Sequence, residues 1–273
     1  MNQTHRLAAA IFLLASVLVP TAHAGDASGQ IVIAGNGPEQ LAMEQLARAF
    51  EKANPRAYVD IQWDNNSKPV ELVKSGQAQI AVTGKEDGDL RAIQVGWDGI
   101  AVMVHLSNNT KELTTQQVAD IFSGKVKVWS DVGGPDTKIL VIDRPRNRNI
   151  KDTFEQHLGI QKVEAGKVIG PDDKAIKAVV GTLPPLSAVT YVSLGPALEA
   201  VNSGVAVRLV PIDKVEAEEP PVKDGRYKLR RPLLLLTPKT PNPAVEAFAA
   251  FALSKEGQTI IDNEGYTPLS PSK

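Results

Sequence analysis

Cysteine is absent from all 273 residues, and the chain holds only four histidines and three tryptophans. Without thiols there can be no disulfide, no thiolate nucleophile and no cysteine-built metal site. Two of the histidines, His5 and His23, fall in the first two dozen residues, leaving His105 and His157 for the rest. No HExxH, nucleophile-elbow or P-loop pattern is present, so metal-assisted hydrolysis and histidine-driven acyl or phosphoryl transfer lack their parts. Asp98 and Asp143 are the carboxylates that would matter for acid–base chemistry if buried close together, and their contexts predict a turn or a strand end instead. The expectation is a protein that is not an enzyme, with no catalytic residue, no metal and no cofactor.

A dominant charge is also lacking. With 30 Lys+Arg against 31 Asp+Glu the balance is close to neutral, which argues against a general nucleic-acid binder. Any electropositive site must therefore be local. Long apolar runs are missing too. The longest, LAAAIFLLASVLV, follows a single arginine and precedes Ala22-His23-Ala24, so residues 1 to 24 read as a cleaved signal peptide. That run is too short to span a bilayer, and no cysteine near the cleavage point offers a lipid attachment. The mature chain is expected in the periplasm or secreted, not membrane-embedded, and monomeric.

What is present alternates. Strand-like QIVIAG (30 to 35), helix-like PEQLAMEQLARAFEKANP (38 to 55), then YVDIQW, KPVELVKSG and AQIAVTG predict βαβ units and a largely parallel, helix-covered sheet. In the first helix Ala42, Leu46, Ala49, Phe50 and Ala53 form one apolar face. VGWDGIAVMVH (95 to 105) is long enough to cross between two lobes, and RPLLLLTP (231 to 238) reads as a buried return strand. In LTTQQVADIFSG, Thr114 and Gln117 spell a capping box and Gly124 a helix stop. The proline- and charge-rich stretch at 211 to 226 predicts a surface loop. PAVEAFAAFALSKEGQTIIDNEGYTPL predicts two helices, the second capped by Ser254 and followed by Gly265.

Open sheets of this kind hold ligands at the carboxyl ends of strands, where helix N-termini expose unpaired N–H groups. Three such junctions stand out. Gly35-Asn36-Gly37-Pro38 predicts a tight turn with Pro38 at the first helical position. In Asn65-Asn66-Ser67-Lys68-Pro69, Ser67 is the candidate N-cap. The third is DRPRNRNIKDTF (143 to 154), which places Arg144, Arg146 and Arg148 just before a helix. Converging, they would form an anion pocket.

The segments LTTQQVADIFSGKVKVWSDVGG, GTLPPLSAVTYVSLG and FALSKEGQTIIDNEGYTPL, in this order, resemble those of the phosphate-binding, PstS-like periplasmic receptors of ABC transporters. The resemblance implies an α/β fold of the type II periplasmic-binding-protein kind: two lobes, each a mixed or parallel sheet flanked by helices, joined by two crossover strands. Lobe one would comprise 25 to 98 plus 232 to 273 and lobe two 99 to 231, hinged near Gly96 to Gly99 and Arg230 to Pro232. The family's ligand contacts map onto Asn36, Gly37, Ser67, Gly84, Arg144, Arg148 and Asn149. Ser67 and Arg144 are kept, whereas Arg148-Asn149-Ile150 stands where the family reads Ser-Gly-Thr. Gly84, beside Lys85, stands where it has an acceptor aspartate. Losing that acceptor removes discrimination against fully ionised anions, and a guanidinium in place of a hydroxyl lengthens the reach of the site. The implied function is an exported receptor for phosphate or a related oxyanion, including ones larger than orthophosphate, with an ABC permease as partner. The alternative is a degenerate member acting as a non-transport interaction or regulatory protein.

Overall fold

Continuous apolar segments of four to eight residues need a sheet covered on both faces, and the opening elements supply one. β1 (Ser28–Gly35) pairs in parallel with β2 (Arg56–Trp63) on one side and β3 (Ile80–Thr83) on the other. Between them run α1 (Gln40–Ala53) and α2 (Pro69–Lys74). The last five residues of β1 are all buried, as its unbroken IVIAG run requires. α1 buries Ala42, Met43, Leu46, Ala47 and Phe50, so the predicted stripe is right in phase and widened by Met43 and Ala47. The structure is a computed structural model that describes residues 27–64, 66–146 and 149–269, and the expected signal peptide lies outside the described residues.

β4 (Arg91–His105) organises the rest. Its first part pairs antiparallel with β9 (Arg230–Thr237), and its second part pairs antiparallel with β7 (Ala188–Ser193) and β8 (Val207–Leu209). β5 (Leu140–Asp143) and β6 (Lys167–Val168) extend the sheet, and β10 (Thr267–Pro268) adds to β4. The resulting order is β2-β1-β3-β9-β4-β7-β5-β6. Helices α3 (Thr115–Phe122), α4 (Asn149–Leu158), α5 (Asp172–Gly181), α6 (Leu194–Asn202), α7 (Glu219–Asp224), α8 (Pro243–Leu253) and α9 (Lys255–Asn263) cover its faces. This is the mixed α/β, helix-flanked architecture that the resemblance implies; the largely parallel sheet expected from the alternation is corrected, because every strand paired with β4 or β9 runs antiparallel.

The apolar interior is divided. One cluster draws only on residues between Ile100 and Leu229, and is centred on Trp129, Phe122, Phe154 and Tyr191. Phe154 stacks on Tyr191 with centroids 3.9 Å apart, and Phe122 meets Phe154 edge-on at 4.8 Å. The remaining clusters draw on Ile31 to Val95 and Leu233 to Tyr266. β4 leaves one core and enters the other between Val95 and Ile100, where Trp97 and Asp98 pair with Pro232 and Arg231.

Local punctuation follows the sequence at several points. Thr114 and Gln117 form the reciprocal capping box of α3, and Gly124 sits in the left-handed region just beyond it. Ser254 accepts from the Gly257 amide to start α9. Three expectations are corrected. Pro38 lies in the turn before α1, whose N-cap is Glu39. Ser67 does not cap α2: Lys68 holds that position, and the Ser67 hydroxyl donates to Gly35 O instead. The stretch at 211 to 226 is not a plain surface loop, because Glu219–Asp224 is helical and Ile212, Ala217 and Val222 are buried.

Candidate functional site

The carboxyl ends of β1, β2, β3 and β5 carry the residues singled out from the sequence. Asn36 and Gly37 follow β1, and Ser67 precedes α2. Asn36 Nδ2 donates to Ser67 O at 3.1 Å, Ser67 Oγ donates to Gly35 O at 2.9 Å, and Trp63 Nε1 donates to Gly37 O at 2.9 Å. These three candidates are therefore brought into one knot. The bare Gly35 makes it possible, since a Cβ there would meet the Trp63 ring at 2.2 Å.

Arg144 follows β5, and its side chain is buried, only 1% exposed. Its amide donates to Asp143 Oδ1 at 2.7 Å, which fixes the backbone as the chain leaves the strand. The same oxygen accepts from the Tyr191 hydroxyl at 2.7 Å, and Asp143 Oδ2 pairs with Lys151. Burial and the neighbouring Asp143 charge push the Tyr191 hydroxyl far above its ordinary range. The Arg144 guanidinium turns to the segment before α5, donating to Gly170 O, to Pro171 O at 3.4 Å and to the Asp172 carboxylate. Arg146 points outward and lies 3.6 Å from Glu155. Asn149 opens α4; Arg148 and the Asn149 side chain lie outside the described residues.

Asp143 ends β5, as its context predicts, whereas Asp98 is not a turn or strand-end residue. It is buried in the middle of β4, beside the guanidinium of Arg231, which the sequence places at a strand start and in the expected hinge. Arg231 Nη2 stands 2.5 Å from Glu39 Oε1 and 2.8 Å from Asp98 Oδ2, and Arg231 Nε donates to Asp98 Oδ2 at 2.9 Å. Ser193 Oγ donates to the same oxygen at 2.9 Å, tying β7 into the group. Glu39, Asp98 and Arg231 are all at most 1% exposed. Desolvation raises the Asp98 pKa above its ordinary value, and the attraction of Arg231 offsets part of that rise. Gly84, at the end of β3, adjoins this group: a Cβ there would stand 3.0 Å from Arg231 Cδ. The only signal in the sequence is an arginine opening an otherwise apolar strand; the β4–β9 ladder sets it across from Asp98.

In front of Gly84 opens a cleft of about 640 Å³ whose walls come from both halves, with Lys85, Trp97, His157, Lys228 and Arg230 among its lining. Arg230 lies over the Trp97 ring at 3.9 Å and donates to Lys223 O at 3.0 Å, while His157 Nε2 and Arg230 O are 2.6 Å apart. Arg230 and His157 are thus engaged in joining α4, α7 and β9. Lys85 and Lys228, opposed by Glu86, give the mouth a positive excess. Its volume is that of an ordinary small-ligand site. Among the described residues no group of His, Asp and Glu could hold a metal ion. Also among them, no helix is long and apolar enough to cross a membrane.

Known proteins are similar to this chain in sequence and fold. The phosphate-binding protein PstS of Bacillus subtilis is 25% identical over 257 residues, covering 90% of this chain and 83% of its own. A Clostridium perfringens protein crystallised with bound phosphate matches with a TM-score of 0.76 at 25% identity, over 89% of this chain and all of that one. An ABC-type phosphate transport receptor from Vibrio cholerae matches with a TM-score of 0.75 at 25% identity, over 86% and 98%. A family profile described as the PBP superfamily domain matches residues 20–256, and the chain belongs to that superfamily.

Proposed function

We propose that this protein is an exported solute-binding receptor that closes over phosphate or a related oxyanion and delivers it to an ABC permease or reports its presence. It works by binding alone, without catalysis. The reading is carried by the match, over the whole length of a relative crystallised with phosphate, of a chain whose two apolar cores meet around a basic cleft. In this reading residues 25 to 98 plus 232 to 273 and residues 99 to 231 are two lobes, and the β4–β9 crossing near Gly96 to Gly99 and Arg230 to Pro232 is their hinge. Asn36, Gly37, Ser67 and Gly84 offer backbone and amide groups from one lobe. Arg144, Arg148 and Asn149 offer charge and the start of α4 from the other. A helix start and a buried guanidinium both favour a compact anion over a neutral solute.

A thermal-shift screen of residues 25–273 tests this. Phosphate, sulfate, pyrophosphate and organic phosphates at millimolar concentration should include at least one that raises Tm, because a ligand held only by the folded state stabilises it by RT ln(1 + [L]/Kd). A flat response to every anion would overturn the proposal.

A further inference from the structure

We infer that Asp172 sets the affinity of this receptor by competing with the incoming oxyanion for the Arg144 guanidinium. The inference rests on the oxyanion-receptor reading and concerns one residue that the family resemblance does not point to. In the structure, Arg144 is not open to the cleft. The segment at 170–172 presents three oxygens to it, the carbonyls of Gly170 and Pro171 and the Asp172 carboxylate. A planar carboxylate flanked by two carbonyl oxygens offers a guanidinium the same acceptors as a bound oxyanion. The Asp172 side chain is itself only 10% exposed, so the pair is shielded from solvent and from salt. An anion that reaches Arg144 must take the place of Asp172.

The segment runs from β6 into α5. It is tied to β5 by the two-residue β6 and by the Ile169 amide on Asp143 O at 2.9 Å. At Gly170 the nearest atom that a Cβ would meet is Pro145 Cγ at 3.8 Å, so the backbone has room. Asp172 also stands in the first turn of α5, where the helix N-terminus favours a carboxylate whether or not Arg144 is beside it. Displacing it from Arg144 therefore does not leave an unstabilised charge. A carboxylate that merely oriented Arg144 for its ligand would act the other way: its loss would weaken binding.

The test compares binding of inorganic phosphate and sulfate, by calorimetry, to the wild-type protein, Asp172→Asn and Asp172→Ala. Asp173→Asn serves as a control on the same helix end, since Asp173 pairs with Lys177. The expected result is at least tenfold tighter binding in both Asp172 variants and no change in Asp173→Asn. The ligand-free Tm of the Asp172 variants should fall, and phosphate should restore it. Folded variants that bind no tighter than the wild type would overturn the inference, while wild-type binding would leave the receptor reading intact. Binding seen only in the Asp172 variants would sustain the competition and end the uptake role. If no protein responded to either anion, both would fall.

Discussion

Gly84 and Arg231 are fitted to each other: a Cβ at position 84 would lie 3.0 Å from Arg231 Cδ and 3.1 Å from Nη1. Where the family resemblance places an acceptor carboxylate, this chain has bare backbone, and a guanidinium from β9 fills the space. Arg231 cannot swing aside, because Glu39 and Asp98 hold it. Gly84→Ala should therefore destabilise the fold by about 1 to 3 kcal/mol, the usual cost of overpacking. Urea unfolding of the variant checks this, and a midpoint equal to wild type would show that Arg231 moves freely.

Removing the cation should be worse than crowding it. Arg231→Met leaves Glu39 and Asp98 facing each other without water, and breaking a buried ion cluster in this way costs about 3 to 5 kcal/mol. Adding Glu39→Gln and Asp98→Asn to that variant should recover most of the loss. A single variant that unfolds at the wild-type denaturant concentration would contradict the assignment of Arg231 as the centre of the group.

Asp98 gives a pH signature. Burial holds its pKa in the folded state above the ordinary 3.8, so the folded protein binds more protons than the unfolded chain in the window above that value. Stability then declines as pH rises through the window, and the contribution is fully present below it. Asp98→Asn keeps the oxygen that Arg231 and Ser193 need and cannot titrate. Its stability relative to wild type should rise from pH 4 to pH 7 in parallel chemical-denaturation series; a difference constant with pH would refute this.

α6 also meets the turn that follows α9. A Cβ on Gly195, in the first turn of α6, would lie 2.6 Å from Gly265 O and 2.7 Å from its Cα. Both are backbone atoms with no rotamer to escape into. Gly195→Val should wedge the halves apart and raise the radius of gyration seen by solution scattering. An unchanged scattering curve would show that this contact does not set how the two cores sit against each other.

The parts of the fold that could be read from residue order are those specified locally. The capping box of α3 and the Ser254 start of α9 involve groups three residues apart, and the parallel opening sheet follows from its apolar runs. α7 is not legible because Pro220 and Pro221 read as loop residues, although proline is compatible with a helix's first turn. At the site, Arg144 could be named but its burial could not: Asp172 lies 28 positions away. Asp98 and Arg231 are 133 positions apart, and only the β4–β9 register puts them face to face. Long-range pairing of buried charges leaves no periodic trace in a sequence.

Equilibrium dialysis with radiolabelled phosphate, on the wild-type protein and on Arg144→Lys, tests the central claim most directly. Lysine keeps the charge but not the planar fork of donors. The account predicts saturable retention of one phosphate per wild-type chain and at least tenfold weaker retention in the variant. No retention by the wild type, or equal retention by both, would contradict it.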